Sequence, residues 1–222
     1  MKKIIIISSF LFLIIIISLL KYFGLIKEKY YNSSNFNIDI LKSEIDYDND
    51  GIDDYTDILN GAKEVGKNKP NYKSVYYDGG YPPDDEGVCT DVIWRALKNA
   101  GYNLKELVDE DIQNNREKYK RIINIDPNID FRRVYNLHVF FENNTLSLTT
   151  DISKIEEFQP GDILIFKNDK HIGIVSDKRN KKGIPYLIHH TESIKNNINN
   201  LEEDILESYT IIGHYRFILK NK

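Results

Sequence analysis

Cys89-Thr90-Asp91-Val92-Ile93-Trp94-Arg95-Ala96-Leu97-Lys98-Asn99-Ala100-Gly101 is the stretch whose reading decides the fold. Val92, Ile93, Ala96 and Leu97 recur at helical spacing, so a helix over 90–99 turns one face to a core, and Gly101 is placed to cap its end. Cys89, the only cysteine in 222 residues, stands at the mouth of that helix. A lone cysteine forms no internal disulfide. At a helix N-terminus the macrodipole and free N–H groups favour the thiolate, the nucleophilic form. The alternative role is that of a small buried hydrophobe.

Upstream, an acidic loop over 46–57 leads into a second predicted helix, from Asp54 to about Val65. Residues 67–86 carry Gly, Pro and Asp at turn positions and read as a structured loop. Downstream, Leu104 to Ile123 reads as further helix, and an apolar stretch follows with Leu137, Val139, Phe140 and Phe141. The last third changes character. Ile163-Leu164-Ile165-Phe166, His171 to Val175, Tyr186 to His189 and Ile211 to Phe217 read as short strands bounded by turn residues. Helices first and antiparallel strands after make an α+β domain, here expected over 58–222 with its N-terminal helices packed on a small sheet.

A thiol needs a base within hydrogen-bond reach, and the base needs a third group to set its tautomer. His171 follows a turn and begins a strand, which fixes its backbone and leaves its ring at a sheet edge. His189 ends the apolar run Tyr186-Leu187-Ile188 and suits the orienting role; His190 points to the opposite face of a regular strand, so the two are rivals. His138 and His214 complete the set, with core or sheet-edge roles the default for His214 and Arg216.

These pieces have a familiar order. Tyr76-Tyr77-Asp78-Gly79-Gly80 comes first, then Val88-Cys89-Thr90-Asp91, then Pro160-Gly161-Asp162-Ile163-Leu164-Ile165-Phe166. His171-Ile172-Gly173-Ile174 and Leu187-Ile188-His189 follow. In that order the chain resembles the NlpC-type cell-wall cysteine hydrolases, a papain-like group. Within it the chain is most similar to the bacterial domain-of-unknown-function family 1287 from Tyr76 to Phe217. Gly79 to Pro83, Cys89 to Val92, Asn128 to Val134 and Gly213 to Arg216 carry that likeness. The resemblance implies a papain-like fold with Cys89 as nucleophile, His171 as base and His189 as the orienting third residue. It makes Tyr76 the upstream tyrosine beside the nucleophile, and the Cys89 N–H part of an oxyanion hole. Val88 and Thr90-Asp91 depart from the group's Asp and Ser-Gly, so substrate specificity does not carry over.

Arg132 and Arg133 follow Asp130 and have two readings: a structural ion pair, or a receptor for a substrate carboxylate such as those of peptidoglycan stem peptides. In the acidic loop, Asp46, Asp48 and Asp50 hold positions one, three and five of a twelve-residue calcium loop. Gly51 stands at six, the Ile52 carbonyl at seven and Asp57 at twelve. A structural Ca²⁺ is expected there, the alternative being an acidic N-cap cluster; no organic cofactor is expected.

The chain opens Met1-Lys2-Lys3 and runs uncharged from Ile4 to Leu20, which at helical rise spans roughly 25 Å. Over 1–26 this reads as an uncleaved membrane-spanning signal-anchor, with a cleaved signal peptide as the alternative. Residues 27–45, polar and rich in Asn, Ser and Tyr, read as a tether. A net charge of −4 offers no broad basic surface and disfavours nucleic-acid binding. Together these features lead to the expectation of a bacterial, single-pass, extracytoplasmic cysteine peptidase or amidase cleaving an amide bond, with peptidoglycan peptides as the expected substrate. An acyl- or peptidyl-transferase with the same site, and an inactive calcium-stabilised wall-binding module, are the alternatives.

Overall fold

The computed structural model describes residues 12–16, 18–19, 30–192 and 201–219. Helix α1 spans Asp54–Asn68, and Asp53 caps it by accepting from the Thr56 N–H. Helix α2 is Cys89–Asn99, the helix read from its apolar spacing. Gly101 takes φ +78°, and the N–H groups of Gly101 and Tyr102 donate to the carbonyls of Lys98 and Leu97, the bonding of a Schellman stop. Helix α3 is Leu104–Asn114 and helix α4 is Val134–Asn144.

α3 ends well short of Ile123, where the sequence reading carried it. Tyr119 is fully buried and its hydroxyl donates to Asp111, eight residues back. In a continued helix those residues would stand about 12 Å apart along the axis. The core claims Tyr119 by folding the chain back through the 3-10 turn Arg116–Lys118.

The strands are β1 (Asn71–Tyr72), β2 (Glu86–Gly87), β3 (Leu146–Ser147), β4 (Ile163–Phe166), β5 (Ile172–Arg179), β6 (Pro185–Ile188), β7 (Glu202–Glu203) and β8 (Ile211–Arg216). β1 and β2 form a short parallel pair ahead of α2. The others make one antiparallel sheet in the order β3-β8-β4-β5-β6-β7. Strand alternation divides the core in two. Ile163, Ile165, Ile172, Ile174 and Ile188 pack with Cys89, Val92, Ile93 and Leu97 in the helical layer. Leu164, Phe166, Val175 and Leu187 face the other way, against Phe158, Ile184 and Leu206. Both faces are covered, which is why these strands read as unbroken apolar runs. A Cβ at Gly173 would meet Leu187 Cγ at 2.8 Å, so only glycine lets β5 and β6 approach there.

The mixed helix-and-sheet class is as expected. The tether is not: from Tyr31 onward the segment is strapped down, with Tyr31 bridged to Arg179 of β5. The fully buried Arg179 guanidinium donates to Ser33 Oγ and to the carbonyls of Ile155, Gly183 and Phe158. Leu41 N–H donates to Gln159 Oε1. A polar composition suggested solvent, but Ser33 bonds the buried arginine, and the backbone at Asp39 and Leu41 engages the buried Gln159 side chain. The expected signal-anchor over 1–26 lies largely outside the described residues. No helix among the described residues is long and apolar enough to cross a membrane.

Candidate functional site

The site starts with the way α2 begins. Asp91 accepts four hydrogen bonds: from the Val88 N–H at 2.7 Å, Trp94 Nε1 at 2.8 Å, and Arg132 Nε and Nη2 at 2.7 and 2.9 Å. Thr90 Oγ1 donates to the Arg132 carbonyl, and Arg132 Nη1 to that of Val75. Asp91 and Arg132 are almost wholly buried, and breaking such a pair costs about 3–5 kcal/mol. Arg132 therefore holds the mouth of the cysteine helix in place. It is not free to receive a substrate carboxylate, and its partner is Asp91 rather than the neighbouring Asp130. Arg133 is the exposed one, 3.9 Å from Asp130.

At that mouth the Cys89 sulfur receives the backbone N–H groups of Ile172, Thr90 and Cys89 itself. Ile172 opens β5 and directly follows His171, so the packing of α2 on β5 sets Cys89 against the strand that His171 leads into. His171 Nε2 lies 2.7 Å from His189 Nδ1, and His189 Nε2 lies 3.2 Å from Glu203 Oε2. A carboxylate only accepts, so His189 carries its proton on Nε2 and its Nδ1 accepts from His171 Nε2–H. His171 is thereby left with an unprotonated Nδ1, the form a base must have.

Burial overrides the helix terminus in setting proton affinities. It pushes the Cys89 thiol up to about 11, against the N–H groups of Ile172 and Thr90, which favour the thiolate. Burial, followed by the nearby His189 and His190, lowers His171 to about 3. The expectation of a stabilised thiolate is not met: both shifts favour the uncharged forms, a thiol and an imidazole.

His189, not His190, reaches His171. His190 is buried against Tyr72, with ring centroids 5.3 Å apart, and its Nδ1 has no partner among the described residues. Tyr76 is more than half exposed and exchanges hydrogen bonds with Asp126 and Asn128. The Tyr72 hydroxyl is raised by burial and then by the charge of Cys89. Sequence reasoning missed Tyr72 and Glu203. Each sits on a two-residue strand, too short for any periodicity to mark it.

A second histidine cluster lies in the same sheet. Asp162 accepts from Arg216 Nε and Nη2, both at 2.8 Å, from His214 Nε2 at 3.0 Å and from the Gln159 N–H. His214 Nδ1 is engaged by the Thr149 carbonyl at 2.6 Å. In the acidic loop, one carboxylate oxygen from each of Asp46, Asp48 and Asp50 lies within 4.8 Å of the others, while Asp57 is buried. Asp53 caps α1, and Asp54 accepts from the Tyr47 N–H and the Tyr102 hydroxyl.

A family model, Domain of unknown function (DUF1287), matches residues 59–217. A relative from Escherichia coli (strain K12), Uncharacterized protein YijF, is 36% identical over 157 residues, spanning 68% of this chain and 74% of its own length. No solved structure matches.

Proposed function

We propose that this chain, which belongs to the DUF1287 family, is a cysteine hydrolase of the NlpC-type, papain-like kind that cleaves an amide bond. The observation that carries the reading is the hydrogen-bonded line Glu203–His189–His171, at 3.2 and 2.7 Å, which ends one residue before Ile172, whose backbone acts on the cysteine sulfur.

The chemistry follows from the protonation states. As Sγ attacks the amide carbonyl carbon, His171 Nδ1 takes the thiol proton, so the thiolate forms only as the C–S bond forms. The imidazolium is stabilised through Nε2–H by His189, backed by the Glu203 carboxylate. Cys89 N–H, at the first position of α2, suits the developing oxyanion. Collapse breaks the C–N bond, and the amine leaves with the proton from His171, giving a thioester on Cys89. Water, deprotonated by His171, then releases the acid and restores the thiol.

The substrate we assign is a peptide or amide bond of peptidoglycan, reached from outside the cytoplasmic membrane with the apolar N-terminal segment as anchor. Incubation of the full-length protein with purified muropeptides, followed by mass spectrometry, tests this. Loss of a peptide fragment by the parent and not by Cys89→Ala is the expected result. Cleavage undiminished in Cys89→Ala would sink the thioester mechanism.

A further inference from the structure

Asp57 differs from every other carboxylate around it. It is 2% exposed, and its Oδ2 has no hydrogen-bond partner among the described residues. The carboxylates acting on it most strongly are Asp50, Asp48 and Asp46 of the preceding loop. Asp46 and Asp50 accept N–H groups of their own loop, but capping does not account for Asp57, because Asp53 and Asp54 already perform it. A buried carboxylate oxygen facing like charges, with no donor of its own, is a costly arrangement unless a cation completes it.

We propose that the 46–57 loop binds a Ca²⁺ ion through the side chains of Asp46, Asp48, Asp50 and Asp57 and the carbonyl of Ile52. Oxygens bound to one Ca²⁺ at 2.3–2.6 Å stand at most about 5 Å apart, and the three loop carboxylates meet that limit. Gly51 at φ +93° and Asn49 at φ +59° make the tight turn that gathers them. The loop lies just ahead of the residues that the family model matches. It also bears on the cysteine helix. Asn99 of α2 donates to the Asp57 carbonyl, Tyr47 stacks on Tyr102 at 4.1 Å, and Gly101 abuts Asp48. An ion at the loop fixes α1 against α2 at the end opposite Cys89.

The test uses the full-length chain and Tb³⁺, whose luminescence Tyr47 inside the loop is placed to sensitise. The expected result is a luminescence signal displaced by Ca²⁺, with a melting temperature roughly 5–10 °C higher at a hundredfold excess of Ca²⁺ over its Kd than in EGTA. Asp57→Asn should bind Tb³⁺ at least tenfold more weakly yet melt in EGTA no lower than the parent, since it removes an unpaired buried charge. Asp48→Asn, at an exposed position, should weaken Tb³⁺ without touching the fold. No Ca²⁺-displaceable signal, an equal melting shift with Mg²⁺, or undiminished Tb³⁺ binding by both variants would overturn the proposal.

Discussion

Two histidine clusters sit in the same antiparallel sheet, on neighbouring strands, and are bonded in opposite ways. In the Asp162–Arg216–His214 cluster every polar atom named has a partner: Arg216 grips both carboxylate oxygens, and both ring nitrogens of His214 are engaged. In the His171–His189–Glu203 line the bonding runs one way and stops at His171, whose Nδ1 makes no hydrogen bond among the described residues. A closed network locks β8 to β4 and stabilises the fold; an open one can move a proton. Residue type does not separate them, since each has a histidine bonded to a carboxylate. Closure does.

The sharpest way to break this comparison is to remove one member from each. Cys89→Ala should abolish hydrolysis, a loss of about 10⁴-fold or more, while leaving the melting temperature close to the parent's. Asp162→Ala strands Arg216 and His214 without their counter-charge and should cost about 3–5 kcal/mol, roughly 6–20 °C in melting temperature for a domain of this size. The molecules that remain folded should keep near-parental activity. Loss of activity in Asp162→Ala at a temperature where circular dichroism shows it folded would mean that the closed cluster takes part in the chemistry.

A finer cut runs along the open line itself. His189→Ala should lower kcat/KM about 10²–10³-fold, because His171 loses the acceptor that fixes its tautomer. Glu203→Gln keeps the shape and removes the charge behind His189, and should cost about tenfold. His190→Ala should cost less than either. A larger loss in His190→Ala than in His189→Ala would show that the line of proton transfer runs through the wrong ring.

How far the sequence foretold this difference depends on where each partner comes from. Cys89, His171 and His189 were legible because each lies at the end of an element whose apolar pattern is strong, and an element's end is where a side chain can meet a cleft. Arg132 was misread because its nearest acid in sequence, Asp130, is not its partner. Asp91 is, 41 positions away, and only the packing of α2 on the 130–132 turn joins them. Glu203 and Tyr72 escaped because two-residue strands carry no pattern. The thiol was misjudged for an energetic reason: the dipole of one helix is worth at most about 2 kcal/mol, which burial at the junction of helix and sheet outweighs.

That last misjudgement yields the smallest but most discriminating effect. With Cys89 pushed up to about 11, from an ordinary value of 9.0, the thiolate fraction at pH 7 falls about 100-fold. A more basic sulfur is the better nucleophile by about tenfold over two pH units, so alkylation by iodoacetamide should run about tenfold slower than for a free thiol. The rate should climb tenfold per pH unit from pH 5 to 10. His171 is held down at about 3, so it is neutral throughout that range and adds no inflection. A preformed thiolate–imidazolium pair gives the opposite profile, fast and nearly flat from pH 5 upward. A flat profile that becomes steep in His171→Ala would replace the neutral pair with an ionic one. A steep profile in both proteins keeps the resting site neutral and leaves activation of the sulfur to the arrival of substrate.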